Sequence, residues 1–184
     1  MFGLLSGMYL CPPTREALEA WRSLLEEEAP APLRGLRASI LAVCGSAEPP
    51  LDDLLWEYTR LFLGPYRLPA PPWESVYTSP KRLLMQEAYD SVLEMYREAG
   101  LSIPDPKVHA DHIGCELNFL AVLYERGESG KENAGRAAEL AGRFLAEHLR
   151  IWVPAFSRDL EAAAKMDLYR ELARATRDAV GSTK

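Results

Sequence analysis

With 184 residues, 48% hydrophobic and 26% charged, the chain is long enough to bury a core without disulfides or metal staples, and it reads as one domain over 1–184. Its net charge of −6 comes from 27 acidic and 21 basic residues, and no basic run is longer than Lys81-Arg82, so a nucleic-acid footprint is missing. No apolar run approaches the roughly 18 residues of a membrane span. Three widely spaced cysteines without a C-x-x-C read as reduced thiols of a cytoplasmic protein.

The first eleven residues, "MFGLLSGMYLC", precede any basic residue, the first being Arg15, and no A-x-A site follows. A short ordered apolar arm is therefore favoured over a secretory signal. In "TREALEAWRSLLEEEA", Ala17, Leu18, Trp21, Leu24 and Leu25 fall on one helical face, Thr14 can cap it and Pro30 stops it. Leu33, Leu36, Ile40, Leu41 and Cys44 repeat the pattern up to Gly45. Leu51, Leu54, Leu55, Tyr58, Leu61 and Phe62 do so again up to Gly64-Pro65.

A proline-rich loop, "LPAPPWESVY", interrupts the helices over 68–77. Ser79-Pro80 then forms a suitable N-cap and N1 pair, so a helix of about five turns is expected from there to Gly100. "SIPDPKVHA" is a second irregular stretch. Asp111 can cap "HIGCELNFLAVLYER", which over 117–124 is apolar on nearly every face apart from Asn118 and so marks a central, buried helix. A turn at 127–130 leads to an alanine-rich helix over 131–152, broken by Pro154, and a last helix is expected over 158–179. No period-two run is bounded by turn residues. The pattern specifies an all-α bundle of about seven helices in a single domain with one long Pro-rich loop.

The chemical motifs are sparse. His109, His112, Cys115 and Glu116 have a spacing that can align on one helical face, and such ligands can hold zinc. A metal-dependent hydrolase built on these four is thus one alternative, although His109 precedes the expected cap. No G-x-S-x-G elbow, phosphate-cradling loop or paired E-x-x-H motif is present. Asp111 and His112 are sequence neighbours, which seldom lets one orient the other as in a triad.

That leaves the irregular segments. A proline-stiffened loop loses little entropy on binding, and a tryptophan presented there offers a large apolar contact with one polar handle. Glu74 and Asp111 can add acceptors for arginine. The same residues also fit a purely structural arrangement, with Trp73 plugging the core, Glu74 starting the next helix and Asp111 acting only as a cap. A helical adaptor that uses an exposed amphipathic face is the further alternative.

Three stretches together resemble a known family: "EYTRLFLGP" at 57–65, "PPWESVY" at 71–77 and "DHIGCELNFL" at 111–120, with a weaker echo in "HLRIWVPAF" at 148–156. They resemble the TorD/DmsD/NarJ group of cytoplasmic chaperones for molybdenum-cofactor oxidoreductases. The resemblance implies an all-helical protein that is not an enzyme in the usual sense, and no metal or cofactor is expected. It implies binding of the twin-arginine signal peptide of a molybdopterin oxidoreductase's catalytic subunit, held back from export until cofactor insertion. Neither nucleic acid nor stable membrane insertion is implied, and both a monomer and a domain-swapped dimer are compatible with it. Carried over residue by residue, the leader-binding region falls on Pro72, Trp73, Glu74, Ser75 and Tyr77 in the loop, and on Asp111, His112 and Glu116 at the central helix. Trp73 would then be a wall for the leader's apolar stretch and the carboxylates would receive its arginines. The lead into the Asp-His pair, "KVHADH", departs from the family's acidic or proline-bearing pattern, and Lys107 and His109 would weaken arginine attraction at that edge.

Overall fold

A computed structural model describes residues 1–25, 29–65, 67–103, 107–128 and 134–183. The expected turn at 127–130, the start of the helix at 131 and the end of the helix near 26–28 lie wholly or partly outside those residues. Among the described residues all regular structure is helical. The order is α1 (Phe2–Leu10), α2 (Arg15–Leu24), α3 (Arg34–Cys44, after a 3₁₀ turn Ala31–Leu33), α4 (Leu51–Tyr58), α5 (Glu74–Thr78), α6 (Glu87–Glu98), α7 (Ile113–Glu128), α8 (Ala134–Phe144), α9 (Arg150–Ala163) and α10 (Asp167–Ser182).

The apolar arm is α1, and it is buried rather than trailing. Leu5, Met8 and Tyr9 are closed off from water because this helix is apolar on nearly every face. It lies along α7, which in turn packs on α8. Polar stitches fix the register. Ser6 Oγ donates to the Gly114 carbonyl at 2.7 Å, Tyr58 OH donates to the Tyr9 carbonyl at 2.8 Å, and Tyr9 OH meets Thr176 Oγ1 at 2.9 Å. Burial pushes the phenols of Tyr9 and Tyr58 well up, so both stay neutral donors.

The close approach of α1 depends on Gly114. A Cβ there would stand 2.5 Å from Leu10 Cγ and 2.8 Å from its Cδ2. Gly114→Ala is expected to destabilise the protein by about 1–3 kcal/mol through forced repacking of α1, read as a lower urea midpoint at unchanged slope.

Two expected boundaries move. Pro154 does not break its helix: α8 runs through a widened π turn, Leu145–Leu149, directly into α9. The widened turn sits just ahead of the proline, where the ring would crowd the carbonyl of residue 150. Fully burying Trp152, Val153 and Phe156 contributes roughly 1.5–3 kcal/mol apiece, which outweighs the ~3 kcal/mol cost of an internal proline. The helix expected from Ser79 begins instead at Glu87, because Arg82 and Met85 adopt left-handed φ values of 52° and 54°. For residues with a Cβ this costs roughly 1–2 kcal/mol each.

The last helix starts at Asp167 rather than 158, after a short turn that Glu57 holds. Its Oε1 accepts from the Lys165 amide at 2.6 Å and its carboxyl takes Arg60 in a two-point grip at 2.9 and 3.0 Å. Burial alone would raise the Glu57 carboxyl. The Arg60 and Lys165 hydrogen bonds outweigh that and hold it below the usual carboxylate range.

Candidate functional site

The proline-rich loop meets the start of α7 through backbone first. Trp73, extended at φ −126° and ψ 132°, forms an isolated antiparallel bridge with His112. The Glu74 amide donates to the Asp111 carbonyl and the Ile113 amide to the Pro72 carbonyl, both at 2.9 Å. Two irregular segments separated by helix α6 are thus tied into one unit.

The side chains tighten this unit. Asp111 Oδ2 accepts from the Ser75 amide at 3.0 Å and from Ser75 Oγ at 2.5 Å. The Gln86 amide donates to Ser75 Oγ at 3.2 Å. Asp111 therefore caps α5 from across the fold, not α7 as its sequence position suggested. The α7 amide of Gly114 instead donates to His112 Nδ1 at 3.1 Å, from the residue just before the helix. An imidazole can accept there only while neutral. Burial, with a smaller push from His109, lowers its pKa from 6.5 to about 4 and keeps it so.

Behind the loop lies a second layer that sequence reading did not assign to the site. His148 on the π turn meets Glu74 Oε2 through Nδ1 at 2.8 Å and Ser91 Oγ through Nε2 at 3.2 Å. Trp152 Nε1 donates to Glu116 Oε2 at 3.0 Å. Burial, then repulsion from Glu74, pushes the Glu116 carboxyl well above the usual range. His148 and Trp152 stand four residues apart in "HLRIWVPAF", which places two polar-tipped aromatics on one buried helical face. That pairing was the available signal.

The eight residues singled out from sequence do come together, but they divide by exposure. Glu74 is 2% exposed, Asp111 and Glu116 are 0% exposed, and Ser75 and Pro72 are buried with them. In this conformation no carboxyl of the set has a surface on which to receive an arginine. Trp73 and Tyr77 are half-buried. The Trp73 ring tilts over His109 at 6.2 Å and meets His112 edge-on at 5.9 Å, and Tyr89 of α6 closes on His109 at 5.9 Å. Tyr77 lies on Trp152 at 5.6 Å with the Arg82 guanidinium 5.2 Å above its ring.

Trp73 is not a core plug. Its free side helps to line a cavity of about 500 Å³ with Leu68, Pro69, Val76 and Leu84, flanked by Arg67 and Arg82. That volume lies within the range of small-ligand and peptide side-chain pockets. Of the four residues considered as zinc ligands, His112 caps α7, Glu116 turns to Trp152, His109 meets Trp73 at a tilt and Cys115 is a buried free thiol. Among the described residues no three His, Cys, Asp or Glu side chains converge as a metal site.

Comparison with known proteins adds the lineage. Residues 11–158 match the family model described as nitrate reductase delta subunit. The chain is 29% identical over 123 residues to the Tat proofreading chaperone DmsD of Haemophilus influenzae, covering 66% of this chain and 56% of that protein. It is 31% identical over 106 residues to the DmsD of Salmonella typhi, covering 57% and 48%. With the chaperone protein TorD of Photobacterium profundum it shares 25% over 177 residues, covering 92% and 72%. The chain spans about half the length of the DmsD relatives it matches. A crystal structure of a redox enzyme maturation protein from Archaeoglobus fulgidus superposes with a TM-score of 0.69 over 98% of this chain and 92% of that one, at 22% identity, a likeness of fold.

Proposed function

Because this chain belongs to the nitrate reductase delta subunit family, we propose that it is a cytoplasmic redox-enzyme maturation chaperone, one helical domain over 1–184. In this reading it binds the twin-arginine signal peptide of a molybdenum-cofactor oxidoreductase subunit and holds it until the cofactor is in place. The names of the DmsD and TorD relatives support the reading. Among the described residues no helix is long and apolar enough to cross a membrane. The observation that carries it is Trp73: a half-exposed indole, pinned from behind by the Asp111–Ser75 and His112 contacts, facing an open apolar groove.

The site residues take two roles. Trp73 and Tyr77, with Pro72 fixing the approach, contact the leader's apolar stretch. Glu74, Ser75, Asp111, His112 and Glu116 position the loop without touching the peptide. The arginines then fall to acids that face water beside the loop, Glu87, Asp90 and Glu94 on α6, whose spacing of three and four residues puts them on one face. Exposed pairs of that kind contribute only about 0.2–1 kcal/mol each, so apolar burial at Trp73 dominates affinity and charge tunes it.

Calorimetric titration with a twin-arginine leader peptide and a twin-lysine control tests this. The arginine peptide should bind, the lysine control more weakly, and raised salt should weaken both without abolishing binding. A folded protein that binds neither would end the reading.

A further inference from the structure

Resting on that peptide-binding reading, we infer that the groove beside Trp73 takes an extended apolar peptide segment that itself carries a carboxylate, clamped between Arg67 and Arg82. The occupant is thus bipolar: cationic where it lies on α6, anionic where it enters the groove.

The groove has an apolar floor and a basic rim. Leu68, Val76 and Leu84 give the floor, and Arg67 and Arg82 are the charged side chains that line it. Neither guanidinium forms an ion pair among the described residues. Arg67 and Arg82 are both exposed, and the Arg82 guanidinium stands over the Tyr77 ring at 5.2 Å. Asp159 of α9 acts on the Tyr77 phenol together with Arg82, and its carboxylate lies 3.9 Å from Arg158. Two unneutralised guanidiniums around one apolar cavity complement a carboxylate, the group whose planar oxygens match their fork. A leader arginine in the same cavity would meet two like charges.

The backbone supports a clamp at this place. Arg82 and Met85 are non-glycine residues held at left-handed φ, and the segment between them turns Leu83, Leu84 and Met85 outward at 49%, 40% and 55% exposure. Strain of this kind, together with a contiguous exposed apolar run, marks a surface that is completed by a partner. Pro69 and Pro71 also line the groove and have no N–H to offer a strand. The occupant is therefore read largely through its side chains, and the arginines are the charged side chains present to read it.

The test uses the full chain and a set of nine-residue apolar peptides without arginine, alike except for one central Glu, Gln or Lys, titrated calorimetrically at low and physiological salt. The Glu peptide is expected to bind at least fivefold more tightly than the Gln peptide, with the Lys peptide weakest. That preference should vanish in Arg67→Gln/Arg82→Gln, whose fold is checked by its melting curve and whose Gln-peptide affinity should stay within twofold. Equal binding of all three peptides, a preference for Lys, an acid preference that survives in the double variant, or no binding of any of them overturns the inference. A twin-arginine leader run in parallel separates the two readings. Leader binding with a flat acid series sinks the clamp alone, and an acid preference without leader binding sinks the leader reading alone.

Discussion

Trp73→Ala is expected to weaken leader-peptide affinity by about thirtyfold, roughly 2 kcal/mol, while the protein keeps its fold. The size follows from the indole's position. It offers a large rigid surface beside an apolar cavity and is held by two histidine rings and a locked backbone, so little ordering cost remains to be met on binding. The stability cost should be well under the 3–5 kcal/mol of a core aromatic truncation, because Trp73 stands outside the buried core. Calorimetric titration alongside a thermal melt reads both quantities. Glu116→Gln is the contrasting variant: a fully buried carboxyl replaced by an amide of the same shape should leave peptide affinity within twofold. If Glu116→Gln abolishes arginine discrimination while Trp73→Ala binds normally, the division of roles proposed for the site is wrong.

The second large effect is on the acid limb of stability. His112 titrates near 6.5 when unfolded and about 4 when folded, a gap that corresponds to roughly 3 kcal/mol. The unfolded chain binds this proton first, so the stabilisation is fully present above pH 6.5 and is lost as pH falls toward 4. Loss of the acceptor at Nδ1 would also uncap α7 at the amide of Gly114. His112→Asn keeps a good capping acceptor and removes the titration. Urea midpoints measured from pH 4 to 8 should therefore fall less steeply on the acid side for His112→Asn than for the parent. Equal slopes would mean that His112 is charged in the folded protein. Glu116 acts with the opposite sign, since its folded value lies above the unfolded one near 4.5. Its contribution is fully present below pH 4.5 and fades as pH rises toward the folded value. Glu116→Gln should flatten that alkaline decline.

Much of this arrangement is legible in the sequence because it is local. The Pro-rich loop, the apolar run that makes α7 central and the Trp73 and Asp-His segments each announce themselves within ten residues. What stays hidden is pairing over distance. Nothing near Asp111 says that its carboxyl will cap a helix beginning at Glu74, or that His112 will take over the cap that Asp111 leaves. Glu74 reads as a rim acid until His148, 74 positions away, closes on it. Pro154 reads as a break because its cost is local, while the burial of Trp152 and Phe156 that offsets it is tertiary. The start of α6 is missed for the converse reason: Ser79-Pro80 is a good helix opening, but the chain turns left-handed at Arg82 and Met85 to cross from α5.

The three prolines at 69, 71 and 72 bear on survival in a crowded cell as well as on binding. An empty apolar trough with an exposed extended edge is ordinarily a template for sheet growth between molecules, and such edges seed aggregation. Here Pro69, Pro71 and Pro72 bring no N–H to an incoming strand, and Arg67 and Arg82 put like charge beside the groove on every copy. Missing donors and like charge both work against strand pairing between two copies at this groove.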